Sequence, residues 1–391
     1  MSIIVVFNCG SSSIKFALFE DKVNSKKPLF NGQVESIGSN NPFYTDCKTD
    51  KRNLDLTSDN KYREALLEVN RVINEQCDGR KITAYAHRVV HGGNLYTKAT
   101  VITDEVMQDL TNLTQLAPLH QPYALEAIKI LREADAQIPH VACFDTAFHS
   151  TISKLEHLLP LPYEYYQKGV RRYGFHGLSY EYIAHSLAEK YSVKAQGKVI
   201  VAHLGSGASL CALHNLQSTA TTMGFSALEG LMMGTRTGSI DPGVLLYLLE
   251  QENLTSKQVT DVLYKKSGLL GISGISNDVR VLLEQETQNA QAKLALDFYV
   301  NRIVKEIGGL TATLNGLDML IFSAGVGQRS SIMRERICSK LEYLGLKIDQ
   351  NANDANESII SSGYSKILVG VEATNEEWIA AKNTRDVLAI R

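Results

Sequence analysis

Two arginines and a set of glycine-rich turns are the residues of this chain whose types and spacing could do chemistry. Arg88 stands in His87-Arg88-Val89-Val90-His91-Gly92-Gly93, and Arg236 closes Gly230-Leu231-Met232-Met233-Gly234-Thr235-Arg236. A guanidinium grips a carboxylate or phosphate with two parallel N–H bonds and stays charged throughout. A lone arginine is most often half of a surface ion pair, but both of these lie in glycine-dense, turn-like segments. Glycine-rich turns after strands let backbone N–H groups cradle phosphate oxygens. None here matches G-x-x-x-x-G-K-[ST], and neither Gly205-Ser206-Gly207 nor Gly325-Val326-Gly327 completes G-x-G-x-x-G, which excludes the P-loop and Rossmann readings. Any one turn alone reads as a hairpin connection; several at strand ends point to one phosphate-binding cleft. His176, between Phe175 and Gly177, is placed to donate to a phosphoryl oxygen or to serve as a core or capping histidine. Asp145 ends the apolar run Val141 to Phe144, where acids at a cleft often stand. His87 and His91 are four apart, but with no acidic third ligand nearby they do not read as a zinc site.

The elements that must position these residues are legible in the apolar pattern. Ile3 to Phe7, a polar turn and Ile14 to Phe19 form a hairpin that leaves Lys15 on the polar face. Val199 to Ala202, Gly205-Ser206-Gly207 and Ala208 to Leu213 repeat that shape. Sliding the chain by 195 residues lays Val6 on Val201, Gly10 on Gly205, Ser11 on Ser206 and Ala17-Leu18 on Ala212-Leu213, an internal duplication. Thr255 with Gln258 forms a capping box for a helix that Gly268 should stop. Leu296, Val300, Ile303, Val304 and Ile307 recur at helical spacing and should face a core. Met319 to Phe322 is a buried strand running into the Gly325 turn, with a helix from Ser330. Ile367 to Val371 is the last strand, and Thr374-Asn375-Glu376-Glu377 caps a final helix, with Glu377 completing the box. The whole reads as two α/β lobes, each opening with a hairpin.

The 391 residues suffice for two or three domains, and 44% hydrophobic with 21% charged residues is ordinary globular composition. With 40 basic and 42 acidic residues the net charge is −2, which argues against nucleic acid or an anionic membrane as partner. Six cysteines without a C-x-x-C pair, no signal-peptide core and no membrane-length apolar run lead to the expectation of a cytoplasmic protein.

Asn8-Cys9-Gly10-Ser11-Ser12-Ser13-Ile14-Lys15-Phe16 resembles the first signature of the acetate kinase family, and Arg172-Tyr173-Gly174-Phe175-His176-Gly177-Leu178-Ser179 its second. The Arg88 and Arg236 segments, Phe144-Asp145-Thr146-Ala147-Phe148-His149 and Thr374-Asn375-Glu376-Glu377 match further, in the family's order along nearly the whole chain. The resemblance implies an α/β fold of two duplicated actin-like ATPase (ribonuclease H-like) lobes with the active site in the cleft between them. It puts the first lobe at 1–148 plus 377–391 and a nucleotide-binding and dimerisation lobe at 149–376. It implies reversible phosphoryl transfer from ATP to acetate, giving acetyl phosphate and ADP, by a homodimer using Mg2+ or Mn2+. Asp145, His176 and Arg236 would be catalytic, with Arg88, Val90 and His120 on the carboxylate. Lys15, Ser11 and Ser13 would meet the nucleotide, along with His203, Leu204, Gly205, Ser206 and Gly207. Asp278, Val279, Arg280, Gly325, Val326, Gly327, Gln328 and Arg329 complete the nucleotide set, and Asn8 and Glu376 would hold the metal.

A carboxylate acceptor is already ionised at neutral pH and needs no general base. The obstacle is the approach of two anions, so the site should be rich in cations with few acids, and Asp145 suits an orienting or magnesium-water role. Glu376 also stands where a helix dipole favours an acid. Ser206, Gln328-Arg329, Ser239 and Ala373 depart from the family's usual Asn, Glu-Asn, Asp and Pro, which bears on nucleotide preference. Propionate kinase is the near alternative, since one methylene in an apolar pocket changes selectivity by about 1–3 kcal/mol. A nucleotide-gated binding protein is the alternative from another class.

Overall fold

A computed structural model of the chain describes residues 2–22, 25–118 and 120–389; positions 1, 23–24, 119 and 390–391 of the expected first lobe lie outside them. The chain divides into two compact units, Met1–Phe148 with Asn375–Arg391, and His149–Thr374. The return to the first unit begins at Asn375, so Glu376 belongs with it.

In the first unit, β1 (Ser2–Cys9) and β2 (Ser13–Glu20) form the opening hairpin, its β-branched residues Ile3 to Val6 and Ile14 buried. The sheet continues through β3 (Phe30–Glu35), β4 (Phe43–Asp46), β5 (Arg52–Asn53), β6 (Lys81–Val89), β7 (Thr100–Val101) and β8 (His140–Phe144), in the order β5-β4-β3-β2-β1-β6-β8-β7. Strand β6 runs parallel to β1 and β8 parallel to β6. The helices are α1 (Lys61–Cys77), α2 (Asp104–Asn112) and α3 (Gln121–Ala134). Helix α1 turns Leu66, Val69 and Ile73 into the core at helical spacing.

The second unit carries α4 (Lys154–His157), α5 (Tyr163–Gln167) and α6 (Gly177–Tyr191), then β9 (Lys198–Leu204), β10 (Ala208–His214) and β11 (Gln217–Thr221). Next come α7 (Pro242–Glu250), α8 (Ser256–Lys265), α9 (Gly268–Ser273), α10 (Val279–Gln285) and α11 (Ala290–Thr313). Strand β12 (Met319–Ser323), α12 (Ala324–Arg329), α13 (Ser331–Ser339), α14 (Gln350–Asp354) and β13 (Leu368–Val371) finish it, and α15 (Glu376–Leu388) belongs to the first unit. The sheet order is β11-β10-β9-β12-β13, with β12 parallel to β9 and β13 parallel to β12. This repeats β3-β2-β1-β6-β8 strand for strand in order and direction. The duplicated architecture is therefore present in both sheets. Among the described residues no helix is long and apolar enough to cross a membrane.

Four local expectations are corrected. Val6 pairs with Ala17, but its counterpart Val201 pairs with Cys211, so the second turn is one residue shorter and the constant offset fails beyond it. Ala212 thus stands where Leu18 does, and the matched Ala-Leu pair is coincidental. The Thr255–Gln258 capping box is present, but α8 ends at Lys265 and Gly268 opens α9 with φ +65°. Gly325-Val326-Gly327 is not a turn: helix α12 starts directly after β12 and contains it. The final helix is capped by Asn375, whose side chain accepts from the Trp378 N–H, and not by Thr374. On α11, Leu296, Val300, Ile303 and Ile307 are buried, while Val304 is half-buried.

Candidate active site

In the first unit, parallel strands β6 and β8 end side by side and set Arg88 against Asp145. The guanidinium Nε donates to Asp145 Oδ1 at 3.0 Å and Nη2 to Oδ2 at 2.7 Å, a two-pronged pair. Nη1 lies 3.2 Å from Glu376 Oε2, at the start of α15, which packs on β1 and β6. Burial alone would lower the Arg88 pKa, but the charges of Asp145 and Glu376 outweigh it and raise it above its ordinary value. The adjacent Glu377 carboxyl is raised, first by burial and then by the charge of Glu376. This end of the unit is richer in acids than the requirement for few acids allowed. The physical reason is local: two carboxylates hold one largely shielded guanidinium in a fixed orientation.

Asn8 faces Lys15 across the β1–β2 ladder, so the two side chains leave the same face. Ser11 is exposed and Ser13 half-exposed at the turn between these strands. Val90 and His120 are brought into one loop system by the fully buried Gln121. Its Nε2 donates to the His91 carbonyl at 3.1 Å and its Oε1 accepts from the His91 N–H at 3.2 Å. As for the implied metal, no group of three or more His, Cys, Asp or Glu among the described residues could hold an ion. Mg2+ asks less, taking one or two carboxylates and keeping its waters. The Asn8 amide and Glu376 carboxylate are hard oxygen donors, and the crowded Glu377 marks surplus negative charge, so the donor set fits.

In the second unit, His176 caps α6 in a left-handed conformation, φ +59° and ψ +24°, a strained place for a residue with a Cβ. Its Nδ1 is 2.8 Å from Ser209 Oγ, which is 2.5 Å from Tyr180 Oη, and its ring stacks on His203 at 4.3 Å. His203 Nδ1 is in turn 2.8 Å from Ser179 Oγ. The segment before it is fixed by the buried His149, whose Nε2 donates to the Phe175 carbonyl at 2.9 Å while burial depresses its pKa to about 4. Gly174 is required there: at φ +78°, a Cβ would sit 2.6 Å from His149 Cδ2. The decisive contact is at Gly207. A Cβ on it would lie 3.2 Å from His176 Nε2 and 3.6 Å from Arg236 Nη2, so an imidazole and a guanidinium converge on a bare backbone turn. The Arg236 Nη1 donates to the Ala227 carbonyl at 2.9 Å, which orients the fork.

Beside this turn the same unit holds a cavity of about 560 Å³, the size of a nucleotide site. Eight of the expected nucleotide residues line it: Gly205, Ser206, Asp278, Val279, Arg280, Gly325, Val326 and Arg329. Leu204 is buried in its strand, Gly327 packs on Phe322, and Gln328 turns away, donating to the Glu372 carbonyl at 3.0 Å. Arg280 forms a two-pronged pair with Asp278, which holds the Asp278 carboxyl below its usual range. Sequence reasoning missed Ser209, Tyr180, Asn277, Leu269, Leu283 and Tyr299. Only Tyr180 had a signal, four residues after His176 on the same helix.

The acetokinase family model matches residues 3–382. Acetate kinases of Rickettsia felis and Methylocella silvestris are 44% and 41% identical to this chain, covering 99% and 98% of it and the same shares of their own lengths. Among solved structures, a propionate kinase from Francisella tularensis superposes with a TM-score of 0.90 at 36% identity, covering 98% of this chain and 99% of its own. Porphyromonas gingivalis acetate kinase does so with 0.88 at 34%, covering 99% and 100%. The actin-like ATPase fold of such kinases is the fold of this chain. With its Arg88, His176 and Arg236 segments in place and a match along nearly its whole length, the chain belongs to the acetokinase family.

Proposed function

We propose that this protein is an acetate kinase that moves the γ-phosphoryl group of ATP reversibly onto acetate. The observation that carries the reading is the convergence of His176 and Arg236 on the Gly207 turn, beside a cavity of nucleotide size in the same unit. Phosphoryl transfer needs positioning and charge stabilisation more than proton chemistry, and that turn offers backbone N–H groups, a guanidinium and a ring N–H together.

The acceptor side falls to the first unit. Arg88 holds the acetate carboxylate by exchanging its Nη1 contact with Glu376 for it, while Asp145 fixes the rest of its fork; Val90 and His120 bound the methyl group. Lys15, Ser11 and Ser13 meet phosphate oxygens. Asn8 and Glu376 would hold Mg2+ (or Mn2+), which supplies charge neutralisation at the β- and γ-phosphates. In the second unit the cavity takes the nucleotide, and His176 Nε2 and Arg236 stabilise the phosphoryl group in flight. An acetate oxygen forms the new bond to phosphorus as the bond from phosphorus to the β,γ-bridging oxygen breaks, its electron pair leaving with ADP. Asp145 removes no proton, because acetate has none to lose at neutral pH.

Similarity to a propionate kinase favours a second reading, the same reaction on propionate. Support for a homodimer comes from α7, whose apolar sequence PGVLLYLLE buries no residue in this chain. Leu246 on it is 57% exposed. Six free cysteines among the described residues accord with a cytoplasmic, reducing setting. The test supplies MgATP with acetate, propionate or butyrate and traps acyl phosphate with hydroxylamine. Acetyl phosphate in excess is expected. ATP hydrolysis without acyl phosphate from any acid would sink the kinase reading.

A further inference from the structure

We propose that Ser209 and Tyr180 are positioning residues that fix the tautomer of His176: Tyr180 Oη donates to Ser209 Oγ, Ser209 Oγ donates to His176 Nδ1, and the imidazole proton is held on Nε2. The assignment deepens the kinase reading and rests on it. A neutral imidazole has one N–H and one lone pair, and the bond made by one nitrogen decides which role the other plays. His176 Nε2 is directed at the bare Gly207 turn, 3.2 Å from where a Cβ would stand, so it is the nitrogen that meets the phosphoryl group. In a neutral ring it can donate there only if it carries the proton, which requires Nδ1 to accept a bond.

The surroundings supply that bond. Ser209 on β10 stands directly across the ladder from His203 on β9, so the two side chains leave one face. His203 stacks on the His176 ring at 4.3 Å, and Ser209 Oγ meets its Nδ1 at 2.8 Å. Two imidazoles so close, with the Arg236 guanidinium at the same turn, disfavour a further positive charge and keep His176 neutral. Tyr180 stands one turn after His176 on α6, its N–H donating to the His176 carbonyl at 3.1 Å, and its Oη reaches Ser209 Oγ at 2.5 Å. Tyr180 and Ser209 are fully buried. Burial raises the Tyr180 pKa well above its ordinary value, so the phenol keeps its proton and donates it. Among the described residues Ser209 Oγ has two partners, Tyr180 and His176, so its own proton passes to Nδ1.

Long-range proton–nitrogen NMR correlation of the full-length protein, labelled at its histidine nitrogens, reads which ring nitrogen bears the proton. The signals of His176 are those lost in His176→Gln. In the wild type the proton is expected on Nε2; a neutral ring protonated on Nδ1, or a doubly protonated ring at neutral pH, overturns the assignment. Ser209→Ala is expected to lower kcat by about 10- to 100-fold, the scale of losing the outer partner of a functional imidazole, with both KM values little changed. Tyr180→Phe should lower kcat by about 3-fold, and by nothing further in the Ser209→Ala background, where the chain is already cut. Losses that multiply in the double variant, an unchanged kcat in Ser209→Ala, or a loss borne by KM likewise overturn it. Acyl phosphate production by the wild type separates the two readings: where it occurs, a failed test removes only the relay, and where it does not, the kinase reading falls and takes the relay with it.

Discussion

Both units bury an acid immediately after the last strand of the shared five-strand order, and they use it differently. Asp145 bonds through its N–H to the Val89 carbonyl at 3.1 Å, as Glu372 does to the Phe322 carbonyl at 2.9 Å. The side chain of each is 3% exposed. Asp145 meets Arg88, from the neighbouring strand and largely shielded; Glu372 meets Lys190 at 2.6 Å, from helix α6 and 48% exposed. The strand end offers a buried acid position in both units, and the partner decides its use. A fork from the adjacent strand is held rigid and keeps one nitrogen directed at Glu376. A lysine reaching in from solvent only neutralises. The helices that open near each site diverge likewise: α15 begins with Glu376, while α6 is capped by His176. One scaffold thus carries acids around a guanidinium in the first unit, and imidazoles and a guanidinium around a bare turn in the second.

The sharpest way to break this comparison is to remove one arginine from each unit. Arg236→Ala should lower kcat by about 10²–10³-fold, the scale of losing a preorganised transition-state donor. Arg88→Ala should mainly raise the KM for acetate, and should also cost about 3 kcal/mol of stability by leaving Asp145 buried without its partner. Steady-state kinetics and thermal melting check both. Equal effects of the two substitutions on ATP KM alone would erase the division between units.

Lys190→Ala is the matching test of the second acid. Lys190 itself is half-exposed, but its removal leaves the buried Glu372 carboxylate without a cation, so the expected loss is about 3 kcal/mol with kcat unchanged. A fall in kcat comparable to that of the Arg236 variant would place Glu372 in the chemistry.

Glu377→Gln should have the smallest effect, and pH reveals it. The folded carboxyl has its pKa raised above 4.5, so between 4.5 and the raised value the folded chain holds the proton more tightly than the unfolded one. Stability from this group therefore falls as pH rises through that window, and the penalty is complete above it. The amide should raise the melting temperature by ~2 °C at pH 7, with the gain vanishing near pH 4. A gain independent of pH would mean that the carboxyl is not crowded.

Sequence alone determined what local periodicity and side-chain type can encode. Both hairpins, the Thr255 capping box, the buried faces of α11 and the strands before Asp145 and Gly325 follow from period-two and period-3.6 patterns acting within a few residues. The signature segments carried the family, and eight residues of the expected nucleotide set line one cavity. Tertiary structure decided whatever depends on distance along the chain. It set the one-residue shortening of the second turn, since pairing register is a property of two strands together. It turned Gly325-Val326-Gly327 into helix, and it gave the cap to Asn375 over Thr374, because the path out of a strand chooses which side chain reaches a free N–H. It surrounded Arg88 with Asp145 and Glu376, 57 residues away and at the far end of the chain. It also placed Ser209 behind His176 and Tyr299 beside the cavity. Spacing in one dimension is blind to such contacts, because burial and electrostatic coupling exist only once distant segments have packed.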